Sequence, residues 1–259
     1  MIHWDVSREI FSLGFLSVRW YGLLFALGFV AAFWFNKKIF KQKKIPLQIL
    51  DQLLVTTIIG TVIGARLGHC LFYEPEFYLQ NPIEILFIWK GGLASHGAAL
   101  GIIASCFWFS KRQNYFNFLQ TLDQVSLCVP LAGAFIRIGN LMNSEIYGKP
   151  TNSNWGFVFE QIDSIPRHPV QLYEAISYLV IFSIIYLYYR AKKFSLAAGQ
   201  VLGLNLVAIF SMRFVLEFFK ASQADFEADL PLSMGQLLSI PFVALGLFLI
   251  WRNRLGTQS

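Results

Sequence analysis

Apolar stretches close to twenty residues long recur along the chain, near 15–35, 52–73, 93–110, 119–141, 171–189, 198–219 and 234–251. About 20 consecutive, mostly apolar residues carry an α-helix across the hydrocarbon core of a bilayer. In hydrocarbon every backbone N–H and C=O must find an internal partner, which leaves only helices and closed barrels. The stretches are continuous rather than alternating in polarity, so a barrel is excluded. The expected fold is an all-α integral membrane protein of about seven transmembrane helices. Composition agrees: of 259 residues, 56% are hydrophobic and only 14% charged, against roughly a quarter charged in soluble domains.

Lys and Arg accumulate on cytoplasmic connections. With the N-terminal segment outside, 12 of the 21 basic residues fall on inner connections, among them Lys37, Lys38, Lys41, Lys43, Lys44, Lys192 and Lys193. N-terminus out and C-terminus cytoplasmic is therefore the expected topology. The start, Met1-Ile2-His3-Trp4-Asp5, lacks the basic start and short apolar core of a cleaved signal peptide. With no Ser/Gly/Pro linker to divide it, residues 1–259 read as a single polytopic membrane domain. The longest outer connection, 143–169, contains Trp155-Gly-Phe-Val-Phe-Glu160 and is expected to form a small periplasmic cap with one short strand. The formal charge of +6 belongs to membrane loops; no Lys/Arg run sits on a soluble module, so no nucleic acid partner is expected.

Metal and nucleophile schemes find little support. Cys70, Cys106 and Cys128 lie in apolar stretches, too scattered for a zinc site or redox pair, and read as packing residues. His3, His69, His96 and His168 show no metal-ligand spacing, and there is no Gly-x-Ser-x-Gly elbow or Walker loop. Asp51 and Asp123, at the inner ends of spans, read as caps or partners of nearby polar groups.

The informative residues are arginines inside apolar windows. A guanidinium stays charged, and at a bilayer centre it costs about 2.5 kcal/mol or more. Arg66, Arg137 and Arg213 all lie towards the outer ends of their spans, within roughly 10 Å of the outer apolar boundary at 1.5 Å per residue. One reading pairs each with a carboxylate: Arg213 with Glu217 at i,i+4, and Arg66 with Glu74 or Glu76. The other is an anion pocket at the outer leaflet, because the planar fork of arginine suits phosphate. Two glycine-rich segments, 91–101 with His96 and 133–148 with Asn140, Asn143 and Glu145, bring further polar groups to that depth. Near such a pocket His96 is a candidate proton acceptor.

The run Ile136-Arg137-Ile138-Gly139-Asn140-Leu141-Met142-Asn143-Ser144-Glu145, ending at Gly148, resembles the signature of the prolipoprotein diacylglyceryl transferase family. Further stretches are similar to that family, in order through the chain. They are Arg19-Trp20-Tyr21-Gly22, Gly64-Ala65-Arg66-Leu67-Gly68, Gly91-Gly92 with His96-Gly97, and Arg167-His168-Pro169 with Gln171-Leu172-Tyr173-Glu174. Arg213-Phe214 with Glu217-Phe218-Phe219, and Ser233-Met234-Gly235-Gln236, complete the set. Ile136, Leu141, Ser144 and Ala98 depart from the family pattern, and Lys220-Ala-Ser stands where an Arg-x-Pro-like stretch is more usual.

The resemblance implies a transferase of the bacterial cytoplasmic (inner) membrane, with its site facing the outer leaflet. Its substrates would be phosphatidylglycerol and a prolipoprotein that still carries its signal peptide. The diacylglyceryl group would pass to the lipobox cysteine thiol, and glycerol phosphate would leave. On that basis His96 takes the thiol proton, while Arg137 and Arg213 stabilise the leaving phosphate. Tyr21, Asn140 and Asn143 orient the head group, Glu145 or Glu217 orients an arginine, Gly148 permits a tight turn, and Arg66 contacts lipid phosphate. No metal, nucleotide or other cofactor is implied. The alternative is a transporter or flippase of an anionic lipid or solute; the absence of an inner polar path and of internal repeats weighs against it. A non-enzymatic scaffold would not need buried arginines at one depth.

Overall fold

The computed structural model describes residues 1–13, 16–221 and 232–255. The outer connection read between Lys220 and Leu232 thus lies mostly outside the described residues, as does Phe15 at the start of the first apolar window. Strand β1 (Ile2–Trp4) is followed by the hairpin β2 (Glu9–Leu13) and β3 (Leu16–Arg19). Then come helices α1 (Trp20–Gln42), α2 (Leu47–Phe72), α3 (Pro75–Gln80), α4 (Ser95–Arg112) and α5 (Phe118–Met142). Strands β4 (Phe157–Phe159) and β5 (Pro166–Arg167) precede α6 (Val170–Ala191), α7 (Gln200–Leu216) and α8 (Met234–Leu255).

Six helices, α1, α2, α5, α6, α7 with its 3-10 extension to Phe219, and α8, are long and apolar enough to cross a bilayer. The chain is a mostly helical, multi-pass membrane protein. The window at 93–110 does form a helix, α4, but at 18 residues it is shorter and less apolar than the six. Its polar start at Ser95-His96 and its Lys111-Arg112 end dilute the apolar run. Apolar side chains point outward along the helices, as a lipid solvent requires: Val30, Leu100 and Ile184 are each more than 60% exposed.

The chain divides into two compact units, Asn36–Leu122 and the remainder, Met1–Phe35 with Asp123–Ser259. In the first, α2 and α4 approach almost backbone to backbone. Gly60, Gly64 and Gly68 face Gly97 and Gly101, and a Cβ on Gly64 or Gly97 would overlap the other residue's carbonyl oxygen. Small residues at this spacing let membrane helices pack by van der Waals contact where no hydrophobic drive exists between them. Cys70 and Cys106 are buried in this unit and Cys128 in the other, all as free thiols.

In the second unit Gly28 lies against Ala132, joining α1 to α5, and Gly203 and Gly246 abut each other's carbonyls, joining α7 to α8. Phe35 meets Phe182 and Tyr186 edge-on at 4.8 and 5.1 Å. Asp123 caps α7 from a distance: its carboxylate accepts from the Gly199 N–H at 2.7 Å and the Leu202 N–H at 2.8 Å. That satisfies otherwise orphaned donors at the positive end of the helix dipole. The expected strand within 155–160 is present as β4, flanked by β1 in parallel and β5 antiparallel. Trp4 packs on the cluster of Leu141, Phe157 and Phe159, and its indole N–H donates to the Leu141 carbonyl at 3.0 Å. Arg167 pairs with Asp163 and holds that carboxyl below its ordinary range, chiefly through their side-chain hydrogen bond. The 143–169 connection is thereby fastened both to the N-terminal strand and to the end of α5.

Replacing Gly64 by Leu should push α2 and α4 apart, at a cost of about 1–3 kcal/mol or more for overpacking. Gly22→Ala is the control, because a Cβ there meets nothing within 4 Å. Thermal unfolding of the detergent-solubilised protein should show a lowered midpoint for Gly64→Leu alone; equal midpoints would refute the close-packing assignment.

Candidate active site

Four helix ends of the second unit supply one polar cluster. The last two turns of α5 carry Arg137, Gly139 and Asn140; the first turns of α6 carry Gln171 and Glu174. The C-terminal end of α7 carries Arg213, followed by the 3-10 turn Glu217–Phe219 and Lys220. Gly235 and Gln236 open α8. Tyr21, in the first turn of α1, lies against Gly139, where a Cβ would sit 3.0 Å from its ring.

Glu174 is the hub. Its side chain is 1% exposed, with Arg137 Nε 2.8 Å from one carboxylate oxygen and Lys220 Nζ 2.9 Å from the other. These are close ion pairs that do not meet hydrogen-bond alignment. Lys220 also reaches Glu217, at 3.4 Å. The second donor of Arg137, Nη1, goes to the Asn140 side-chain oxygen at 3.1 Å. Asn140 and Asn143 each donate to the exposed Glu145 carboxylate, at 3.3 and 3.2 Å. Gln171 donates to the Glu145 carbonyl at 2.6 Å, tying the loop after α5 to the start of α6.

The charges do not balance. Arg137, Arg213 and Lys220 face two buried or half-buried carboxylates, Glu174 and Glu217. Among the described residues Arg213 has no carboxylate partner, and its Nε is buried without a hydrogen bond. Arg213 and Arg137 both act electrostatically on the buried Tyr178, one turn beyond Glu174. An unpaired guanidinium in an apolar surround is costly, and an anion with fork-compatible oxygens would relieve it.

Several expected partners are different ones. Arg213 is not paired with Glu217, because Lys220 takes that carboxylate. Arg137 is oriented by Glu174 and Asn140, neither by Glu145 directly nor by Glu217. Gly148 does not take the left-handed backbone of a tight turn. Its missing side chain instead admits the His168 backbone, whose carbonyl oxygen would lie 2.5 Å from a Cβ and accepts the Gly148 N–H at 2.9 Å. The opposite strand of that contact is Lys220, in an antiparallel bridge with Gly148.

Arg66 and His96 belong to the other unit. Arg66 is 4% exposed and pairs with neither Glu74 nor Glu76. Its guanidinium donates to the carbonyls of Glu84, Ile85, Gly91 and Gly92 at 2.6–3.2 Å and lies over the Tyr78 ring at 5.0 Å. The loop it holds includes Gly91 and Gly92, both at positive φ, and leads through Ala94, whose N–H donates to the Ala65 carbonyl, into α4. His96, in the first turn of α4, is exposed and makes no hydrogen bond among the described residues. No group of three His, Cys, Asp or Glu residues that could hold a metal ion occurs among the described residues.

Glu174 and Lys220 carried no assigned role in the sequence. The signal was available for Glu174: an acid just inside an apolar window, at the same end as two arginines. Nothing in the sequence pairs Lys220 with it.

These helices define a multi-pass membrane protein with a cation-rich cluster at the ends of four of them. The chain belongs to the prolipoprotein diacylglyceryl transferase family, whose sequence pattern matches residues 8–252. A phosphatidylglycerol–prolipoprotein diacylglyceryl transferase of Chloroherpeton thalassium is 48% identical over 252 residues, covering 97% of this chain and 94% of the relative. The enzyme of the same name from Tolumonas auensis is 46% identical, covering 96% of each chain. That of Bacteroides fragilis is 42% identical, covering 96% and 94%.

Removing the hub charge tests its structural share. Glu174→Gln leaves Arg137 and Lys220 facing a neutral group and should cost about 3–5 kcal/mol, the usual scale for breaking a buried pair. Glu145→Gln, at an exposed carboxylate, should cost less than about 1 kcal/mol. Unfolding midpoints of the two variants, compared in one detergent, check the ranking.

Proposed function

We propose that this chain transfers the diacylglyceryl group of phosphatidylglycerol to the lipobox cysteine of prolipoproteins. The observation that carries the reading is the surplus cation: Arg213 has no carboxylate partner among the described residues, while Arg137 is held by Glu174 and Asn140. Full-length similarity to enzymes of that name supports the same conclusion.

In the reaction the substrate thiol loses its proton and its sulfur attacks the glyceryl C3. The C3–O bond to phosphate breaks, and the glycerol phosphate leaves with the electron pair. Stabilising that leaving group is the main task, and preorganised cations in a water-poor site are suited to it. Arg213 and Arg137 contact the phosphate. Tyr21, Asn140 and Asn143 orient the head group, with Glu145 fixing both asparagines. Taking the thiol proton, the role that the family resemblance gives to His96, is a modest task for an imidazole against a thiol of ordinary pKa about 8.5. Arg66 acts indirectly, through the loop that leads into the His96 helix. The acceptor cysteine comes with the signal peptide of the prolipoprotein, so the three cysteines of this chain need no role.

The charge distribution supports a topology of seven spans, α4 included, with the N-terminus outside and the C-terminus cytoplasmic. The site then faces the outer leaflet of the bacterial inner membrane, beneath the 143–169 cap. A single cysteine placed at Lys193 should react with impermeant maleimide only in inverted membranes; labelling of intact spheroplasts would reverse the topology.

The direct test incubates membranes holding this protein with phosphatidylglycerol and a lipobox peptide. The peptide mass should rise by one diacylglyceryl group, and an unchanged mass would overturn the assignment. Arg137→Lys probes the mechanism further. Lysine keeps the charge but loses the planar fork that serves Glu174, Asn140 and phosphate together. It should lose about 1.5–3 kcal/mol of transition-state stabilisation, roughly ten- to a hundredfold in rate, with membrane abundance maintained. Near-normal transfer would exclude a need for two-pronged binding.

A further inference from the structure

Lys220 occupies an unusual position among the site charges. Its ammonium lies between Glu174 and Glu217, at 2.9 and 3.4 Å, and is only 6% exposed. Arg213 precedes Glu217 by four residues, the spacing that ordinarily closes a salt bridge on a helix. Yet no such pair forms, and Arg213 Nε is buried without a partner.

Two features hold Lys220 in place. The 3-10 turn Glu217–Phe219 brings side chains three residues apart onto one edge, so Lys220 faces Glu217 directly. The backbone of Lys220 is then fixed against the cap: Lys220 bridges Gly148, and the Lys149 N–H donates to the Phe219 carbonyl at 2.8 Å. The Ala221 N–H donates in turn to the Tyr147 carbonyl. Glu217 is hemmed in from the other side by α8, where a Cβ on Gly235 would sit 2.5 Å from its carboxylate.

We propose that Lys220 is a positioning residue that keeps Glu217 off Arg213 and so leaves the Arg213 guanidinium open to the lipid phosphodiester. The inference rests on reading the site as a phosphatidylglycerol-using transferase. A carboxylate and a phosphate compete for the same planar edge of a guanidinium. Without the ammonium, Glu217 is a half-buried anion whose nearest remaining cation in sequence is Arg213, at the correct spacing to close. A compact ammonium suits the task because, as a point charge with rotatable donors, it can serve two carboxylates at once.

The test compares wild type, K220R, K220M and the double variant K220M/E217Q. Initial transfer rates to a lipobox peptide are measured against phosphatidylglycerol concentration in vesicles, with membrane abundance measured in parallel. K220M should raise the apparent KM for phosphatidylglycerol about tenfold or more, within the range of coupling between contacting charges. K220R, which keeps the cation, should stay within about threefold of wild type. K220M/E217Q should recover about tenfold in kcat/KM over K220M, because no carboxylate remains to close on Arg213. If K220M fails to accumulate, the double variant should restore both abundance and transfer. An unchanged KM in K220M, or a double variant that is absent or no more active than K220M, overturns the proposal. Wild-type membranes that transfer nothing overturn the transferase reading instead.

Discussion

A carboxylate that is 1% exposed inside a membrane protein survives as an anion only if cations are built around it. Glu174 meets that constraint with Arg137 on one side and Lys220 on the other. Much of the local architecture follows from this pairing. Arg137 ties α5 to α6, and Lys220 ties the segment after α7 to α6. The bridge between Lys220 and Gly148 then brings the 143–169 connection over the same point. Glu145 and Gln171 close the remaining gap between α5 and α6 through a carbonyl contact.

The same pairing leaves a surplus. With Glu174 shared between two cations and Glu217 turned to Lys220, the third cation, Arg213, has no counterion among the described residues. A structural network alone would tend to neutralise itself, since desolvating an unpaired charge costs more than any gain in packing. A site that receives phosphate would retain that imbalance. In the proposed transferase reading the lipid phosphate supplies the missing charge, and the full-length similarity to enzymes named for phosphatidylglycerol agrees with it.

The membrane helices were legible in the sequence because the bilayer imposes a length and a polarity on each of them. All seven windows became helices, and the exception in strength, α4, is the one whose polar ends dilute its apolar run. Asp123 was legible as a cap because an acid at a span end has few other uses. The N-terminal strand β1 was not, since three residues pairing with Phe157–Phe159 leave no periodic trace. Arg66 shows the clearest limit. Its location in an apolar window was evident, but its partners are backbone carbonyls, which every residue possesses and no sequence marks. The Glu174–Lys220 pair was hidden for a related reason: it joins α6 to the segment after α7 through tertiary contact, outside any i,i+4 pattern. Arg213 with Glu217 had the local pattern and does not pair. Local spacing proposed a bond, and a competing cation decided it.

Helix polarity also bears on the charges at this end of the unit. Arg213 sits in the last turn of α7, where its charge opposes the local end of the macrodipole and is stabilised by it. Arg137 lies a turn further inside α5 and leans on Glu174 instead. Arg213 therefore owes part of its stability to backbone dipoles rather than to a counterion among the described residues. That allows one guanidinium to remain unpaired without the structure collapsing onto it. Donors held in this way do not have to reorganise when phosphate charge develops, which is the condition under which electrostatic stabilisation accelerates a displacement most.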